Sequence, residues 1–176
     1  MKFHKDILVL NFEQSKYLPV QVAAILLDKE TLQEKSSFYS YIFADIGDYV
    51  NSKSGITQDM IQGAPKQSEV AEMLYQKFGT DVFLASFVQN MDITFFSEMM
   101  RKASIDFIDG RTDFKKYDFH ILDIWPVAYV YALKNGYTGS TRSEELFQFY
   151  NAKPRGLHDA LEDCRITADV LRKIVS

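Results

Sequence analysis

Ile7-Leu8-Val9-Leu10-Asn11-Phe12-Glu13 decides the fold. Four branched apolar residues in a row read as a short strand buried on both faces. The strand ends in polar residues two apart. Successive strand side chains point to opposite faces, so Asn11 and Glu13 emerge on the same one. A buried strand that delivers two polar side chains to one face at its end is a natural place for a site.

Outward from this strand, a second apolar run from Val20 to Leu27 is followed by Asp28-Lys29-Glu30 and a loosely alternating stretch from Thr31 to Phe43. That pattern predicts a hairpin with its turn near Lys29, and hence three opening strands in antiparallel arrangement. Residues 45–63 are turn-like, with Gly55-Ile56-Thr57 opening a short helix. Val70, Met73, Leu74 and Phe78 then recur at helical spacing, and Gly79 stops that helix. Val82–Ala85 reads as a strand, Asp92–Arg101 as a helix, and Tyr117–Ile121 as a fifth strand. Helices follow over Trp125–Leu133, over Ser143–Tyr150, and from near His158 to about Lys173, the last with Leu161, Cys164, Ala168 and Leu171 as its buried stripe. Strands first, then alternating helices and strands, predict one α/β domain over residues 1–176, with no repeat or second domain.

Bulk properties narrow the function. The chain of 176 residues carries 20 Lys+Arg against 24 Asp+Glu, a formal net charge of -4. A module that held duplex DNA by neutralising its backbone would be basic, so a passive DNA-binding domain is disfavoured. An enzyme whose acidic cluster is offset by metal ions is not. The lone cysteine, Cys164, cannot form an internal disulfide, no apolar run is long enough to span a membrane, and MKFHKD leads straight into the first strand. A cytoplasmic or nuclear protein without a membrane partner is the expectation.

Candidate site residues lie in three segments. Asn11 and Glu13 end the first strand, Asp92 follows a strand and opens a helix, and Asp163 lies beside the apolar stripe of the last helix. An acid in that last position is costly unless it is hydrogen-bonded or bound to an ion. Oxygen ligands from separate elements suit Mg²⁺ or Mn²⁺, and the absence of a Cys/His cluster argues against zinc. Each residue also has a plain structural reading. Asp92 can be an N-cap, Glu13 a solvated strand end, Asp163 the partner of Arg165 or another cation, and His158 a helix-start residue. Asp123 reads as an N-cap, and Asp6 sits at the far end of the first strand, roughly 15 Å from Asn11 at the usual rise. Spacing and composition go no further than a candidate divalent-metal site.

The arrangement resembles the His-containing branch of the DEDD 3′–5′ exonucleases, the ribonuclease-H-like family that includes proofreading subunits of bacterial replicative polymerases. Its strand ending Asp-x-Glu is matched, except for the first acid, by Ile7 to Glu13. Its Gly-Ile-Thr and Ala-Pro signatures are matched by Gly55-Ile56-Thr57 and Ala64-Pro65, its second motif by the segment from Leu84 to Asp92, and its His-x4-Asp by His158 to Asp163. The resemblance runs from residue 7 to about 172. It implies a mixed five-stranded sheet flanked by helices, with the Ile7–Asn11 strand central and beside the Val82–Ala85 strand.

The resemblance also implies roles. Asn11, Glu13, Asp92 and Asp163 fall on metal positions for two Mg²⁺ or Mn²⁺ ions, His158 on the general base, and Glu13 on the residue that helps hold the attacking water. The substrate would be a single-stranded DNA or RNA 3′ end, and a polymerase or another replication or repair protein a partner. Phe12 and Phe87 are candidates to pack on the terminal nucleotide. Lys153 and Arg155 are candidates for a rim that meets phosphates.

Two departures matter. Family members carry aspartate where Asn11 stands, and an amide offers one neutral oxygen and a cation-repelling NH₂. The usual His-Asn-x-x-Phe-Asp is here Phe87-Val88-Gln89-Asn90-Met91-Asp92. Either Asn11 silences an otherwise intact exonuclease, as a deliberate Asp-to-Asn replacement would, or the chain is a degenerate exonuclease-like domain that binds nucleic-acid ends or a protein.

Overall fold

The computed structural model describes residues 2–105, 117 and 120–176. In chain order they form β1 (Ile7–Ser15), β2 (Leu18–Leu27), β3 (Glu34–Tyr41), α1 (Gln58–Ile61), α2 (Gln67–Phe78), β4 (Phe83–Ser86), α3 (Gln89–Lys102), β5 (Ile121–Asp123), α4 (Ile124–Lys134), α5 (Ser143–Phe149) and α6 (Ala160–Val175). The strands make one mixed sheet in the order β3-β2-β1-β4-β5. β1 is central, antiparallel to β2 and parallel to β4, as the resemblance requires. β3 continues the antiparallel half, and β5 runs parallel to β4.

Both faces of β1 are covered, which is why its sequence does not alternate. Ile7 and Val9 pack into a core shared with α4 and α6, while Leu8, Leu10 and Phe12 pack with α2 and α3 on the other face. The pleat therefore separates two half-cores, and the site residues of β1 belong to the α6 side.

Several boundaries differ from the sequence reading. β1 runs on to Ser15, because Phe12 to Ser15 pair with Val22 to Leu18 across a tight hairpin. Its two loop residues, Lys16 and Tyr17, have φ of 48° and 63°. Such a turn is normally flagged by Asn-Gly or Asp-Gly, and neither residue here carries that signal. The expected strand at Tyr117–Ile121 lies instead at Ile121–Asp123, with residues 118 and 119 outside the described set. Met73, expected on the buried face of α2, is 45% exposed, and Val70, Ala71 and Leu74 carry the packing. α3 begins at Gln89, so Asp92 lies within its first turn and is not its cap. Asp123 does hold the N-cap position of α4, without a side-chain hydrogen bond to the helix amides. Asp6, at the opposite end of β1, pairs with Lys35 at 2.8 Å.

Candidate active site

Alternation along β1 turns Asn11 and Glu13 toward α6, on the same face as Ile7 and Val9. α6 is fixed against that face by specific bonds. Asp159 caps it, accepting from the backbone N–H groups of Leu161 and Glu162. The Ala160 N–H donates to Gln21 Oε1 at 2.9 Å, and Gln21 lies directly across from Glu13 in the β1–β2 pairing. The Cys164 thiol approaches the carbonyls of Val9 and Ala23 at 3.5 Å each, seating the helix one residue from Asp163. Asp163 is thereby brought to the β1 surface and is only 4% exposed.

Asp92 comes from the other side of the strand ends. Pairing of β1 with β4 stops at Val9 and Ala85, leaving later β1 amides on that edge without strand partners. Asp92 Oδ1 accepts the Phe12 N–H at 2.9 Å, and Ser86 Oγ donates to Asp92 Oδ2. A buried amide left unpaired is expensive, so this carboxylate completes the strand edge as well as facing the site.

Asn11, Asp92 and Asp163 line one cavity of about 130 Å³, walled by Phe87 and Phe147. Ligand atoms of Glu13, His158 and Asp163 lie within 4.8 Å of one another. Glu13, Asp92 and Asp163 are the only buried acidic residues among those described. Asp163 belongs to both groups and so links Glu13 and His158 to the cavity that Asn11 and Asp92 line.

Burial and mutual proximity of these acids show in their protonation. Burial lifts the Glu13 carboxyl to about 7, and the charge of Asp163 pushes the same way. Burial also lifts Asp92 to about 7, against the lowering effect of its bonds from Ser86 and the Phe12 N–H. His158, whose Nδ1 is 3.7 Å from Glu13 Oε1, is shifted downward by burial and by the nearby Arg155 charge. A neutral imidazole at neutral pH follows, which is the form that accepts a proton.

The other expected residues divide. Phe87 lines the cavity and packs on Phe147 with ring centroids 4.6 Å apart. Phe12 lies in the opposite half-core against Phe95. Lys153 is tied to Glu162 at 2.9 Å near the surface. Arg155 turns inward: its Nε donates to Asp163 Oδ1 at 2.7 Å and its Nη2 donates to Oδ2. The sequence reading allowed Asp163 a basic partner but favoured Arg165, which pairs instead with Glu34. Ser86, Gln21 and the inward Arg155 are the residues it missed. A polar residue closing a strand, as Ser86 does, was the one available signal.

The profile of the Exonuclease family (RNase T) matches residues 11–171, nearly the whole chain. The chain belongs to that family. No curated protein matches it. Among solved structures, a 3′-exonuclease recognising a histone mRNA stem-loop superposes with a TM-score of 0.70 at 16% identity, covering 98% of this chain and 64% of its own. Exonuclease I from Methylocaldum szegediense gives 0.71 at 17% identity, covering 96% of this chain and 40% of its own. The nuclease domain of 3′hExo, a DEDDh family member bound to rAMP, gives 0.66 at 18% identity, covering 99% and 94%. This exonuclease-family chain thus spans less than two thirds of the length of the first two, while sharing their fold. Its sheet and helices share the fold of that DEDDh family member.

The donor set of this exonuclease-family site can be tested against a divalent cation. Three buried carboxylates face a single guanidinium, leaving negative charge that a dication would neutralise. Asn11 Nδ2 is buried and meets no acceptor. A buried amide N–H facing nothing is costly, whereas an oxygen facing a cation at that position would be satisfied. The residues fit hard divalent ions, with Asn11 as the weak member. No helix among the described residues is long and apolar enough to cross a membrane.

Proposed function

We propose that this chain is a 3′–5′ exonuclease domain whose site holds divalent ions weakly because Asn11 stands where a carboxylate is needed. The observation that carries the reading is that Asp163 lines one cavity with Asn11 and Asp92 and also lies within ligand range of Glu13 and His158, so the buried acids of the described residues gather around it. Glu13, Asp92 and Asp163 would hold Mg²⁺ or Mn²⁺, with Asn11 offering one neutral oxygen. When bound, such ions acidify water and neutralise charge on the scissile phosphate.

The chain's own residues supply the rest. Glu13 Oε1, set beside His158 Nδ1, orients a water toward the phosphorus, and the neutral imidazole takes its proton as the new P–O bond forms. The bond to the neighbouring 3′ oxygen breaks, that oxygen takes a proton from solvent, and a nucleoside monophosphate leaves. Phe87 and Phe147 give the cavity an aromatic wall against which a terminal base can pack. The substrate proposed is a single-stranded DNA or RNA 3′ end, and a replication or repair protein is the proposed partner class.

A second reading has its own support. The unpaired Asn11 amide and the arginine clamped on Asp163 both suit a domain that binds ends without cutting them. The deciding experiment is a time course on a labelled single strand with Mg²⁺ or Mn²⁺, comparing the protein, Asn11→Asp and His158→Ala. Slow cleavage that Asn11→Asp accelerates and His158→Ala abolishes supports the exonuclease. A folded, ion-bound Asn11→Asp that still does not cut favours the binding domain.

A further inference from the structure

Arg155 turns into the site and pairs with one of its acids. Its guanidinium engages both oxygens of Asp163, and its side chain is only 17% exposed. It has a second place to go. Its Nη1 lies 3.6 Å from Glu144 Oε1, at the first turn of α5, and Glu144 is 54% exposed. Its Cζ sits 6.0 Å from the centroid of the Phe147 ring, a wall that serves the guanidinium at either partner. The surrounding loop is held at both sides, by Lys153 on Glu162 and by the His158 N–H donating to the Lys53 carbonyl at 3.0 Å. The side chain can therefore swing without the loop moving.

We propose that Arg155 is a tethered counter-cation: it clamps Asp163 in the ion-free protein, and a divalent ion gains Asp163 only as the guanidinium moves over to Glu144. This rests on the reading of Glu13, Asp92 and Asp163 as ion ligands. Arginine carries only donors and keeps its charge at any working pH, so it leaves by moving and never by losing a proton. With both Asp163 oxygens occupied, an approaching ion finds a carboxylate already spent and a positive charge in its way. The same contact neutralises one of the three buried carboxylates from within the chain.

The test uses the whole chain stripped of ions at pH 7.5, titrated with Mn²⁺ and followed by calorimetry and by the loss of free-Mn²⁺ resonance. Wild type is compared with Arg155→Gln and Glu144→Gln. Arg155→Gln is expected to bind Mn²⁺ about tenfold more tightly, and to lose thermal stability without ions while regaining it when Mn²⁺ is added. Glu144→Gln, a change at an exposed residue, removes the alternative partner and is expected to weaken Mn²⁺ binding a few-fold. Equal or weaker Mn²⁺ binding by folded Arg155→Gln overturns the clamp while leaving the ion site standing. Folding of Arg155→Gln only with Mn²⁺ supports the clamp. If that variant folds under no condition, an unchanged affinity in Glu144→Gln overturns the proposal and a weakened one supports it. Absence of Mn²⁺ binding at millimolar concentration in all three proteins overturns both the clamp and the ion-site reading.

Discussion

Glu13→Gln should make the ion-free protein more stable at alkaline pH, although it removes a residue from the site. The Glu13 carboxyl sits at about 7 in the fold against an ordinary value of 4.5. An acid whose folded value is raised is one the fold prefers protonated. Its cost to stability is absent below about 4.5, grows between 4.5 and 7, and is constant above that. The difference corresponds to about 3 kcal/mol at pH 8. Glutamine resembles the protonated acid in shape and can still donate to Asp163, so the variant and wild type should be equally stable near pH 4.5, diverge up to about pH 7 and keep a constant gap from there to pH 8. Asp92 titrates in both proteins and cancels in the comparison. For a chain of this size about 3 kcal/mol amounts to roughly 6–12 °C in Tm. The assay is urea unfolding followed by circular dichroism in EDTA at intervals from pH 4.5 to 8. A saturating divalent ion should reverse the order, stabilising wild type and not the variant. Parallel stability curves for the two proteins across that range would refute the reasoning, because they would mean that the Glu13 carboxylate is not held against its will.

Two further outcomes follow from the same geometry. Because burial and Arg155 shift His158 downward, the acid limb of any pH–rate profile of Asn11→Asp should lie below the ordinary histidine value of 6.5, and Arg155→Gln should move it back upward. A limb at or above 6.5 in Asn11→Asp would remove His158 as the neutral base. Gln21→Leu should cost about 1–3 kcal/mol, the price of leaving the buried Ala160 N–H without an acceptor, and a denaturant midpoint unchanged from wild type would show that α6 is anchored elsewhere.

Much of the site was legible because it depends on local backbone geometry. Two-residue alternation puts Asn11 and Glu13 on one face wherever β1 ends up, and helical periodicity puts Asp163 beside Cys164 on the buried side of α6. The central place of β1 followed from an apolar run that needs cover on both faces. The turn at Lys16–Tyr17 was missed because its left-handed residues carry no glycine or asparagine to announce it. The start of α3 was missed because Gln89 to Met91 give no capping signal, so the helix was read from Asp92, with an N-cap as that residue's plain alternative, whereas its carboxylate lies inside the first turn and accepts from the edge of β1.

What the sequence by itself determined is which side chains share a face, Asn11 with Glu13 and Asp163 with the apolar stripe of the last helix, since both follow from repeats of 2 and 3.6 residues along the chain. Only the tertiary structure decided which charge meets which. Arg165, two positions from Asp163, is the partner that the sequence suggests, yet α6 presents Arg165 to Glu34 on β3 and leaves Asp163 to Arg155 in the loop before it. Likewise the Phe12 amide meets a carboxylate 80 positions away and the Ala160 amide a glutamine 139 positions away. Pairings of this kind depend on how the sheet and helices pack in three dimensions, and the raised protonation of Glu13 and Asp92 depends on the water that the same packing excludes.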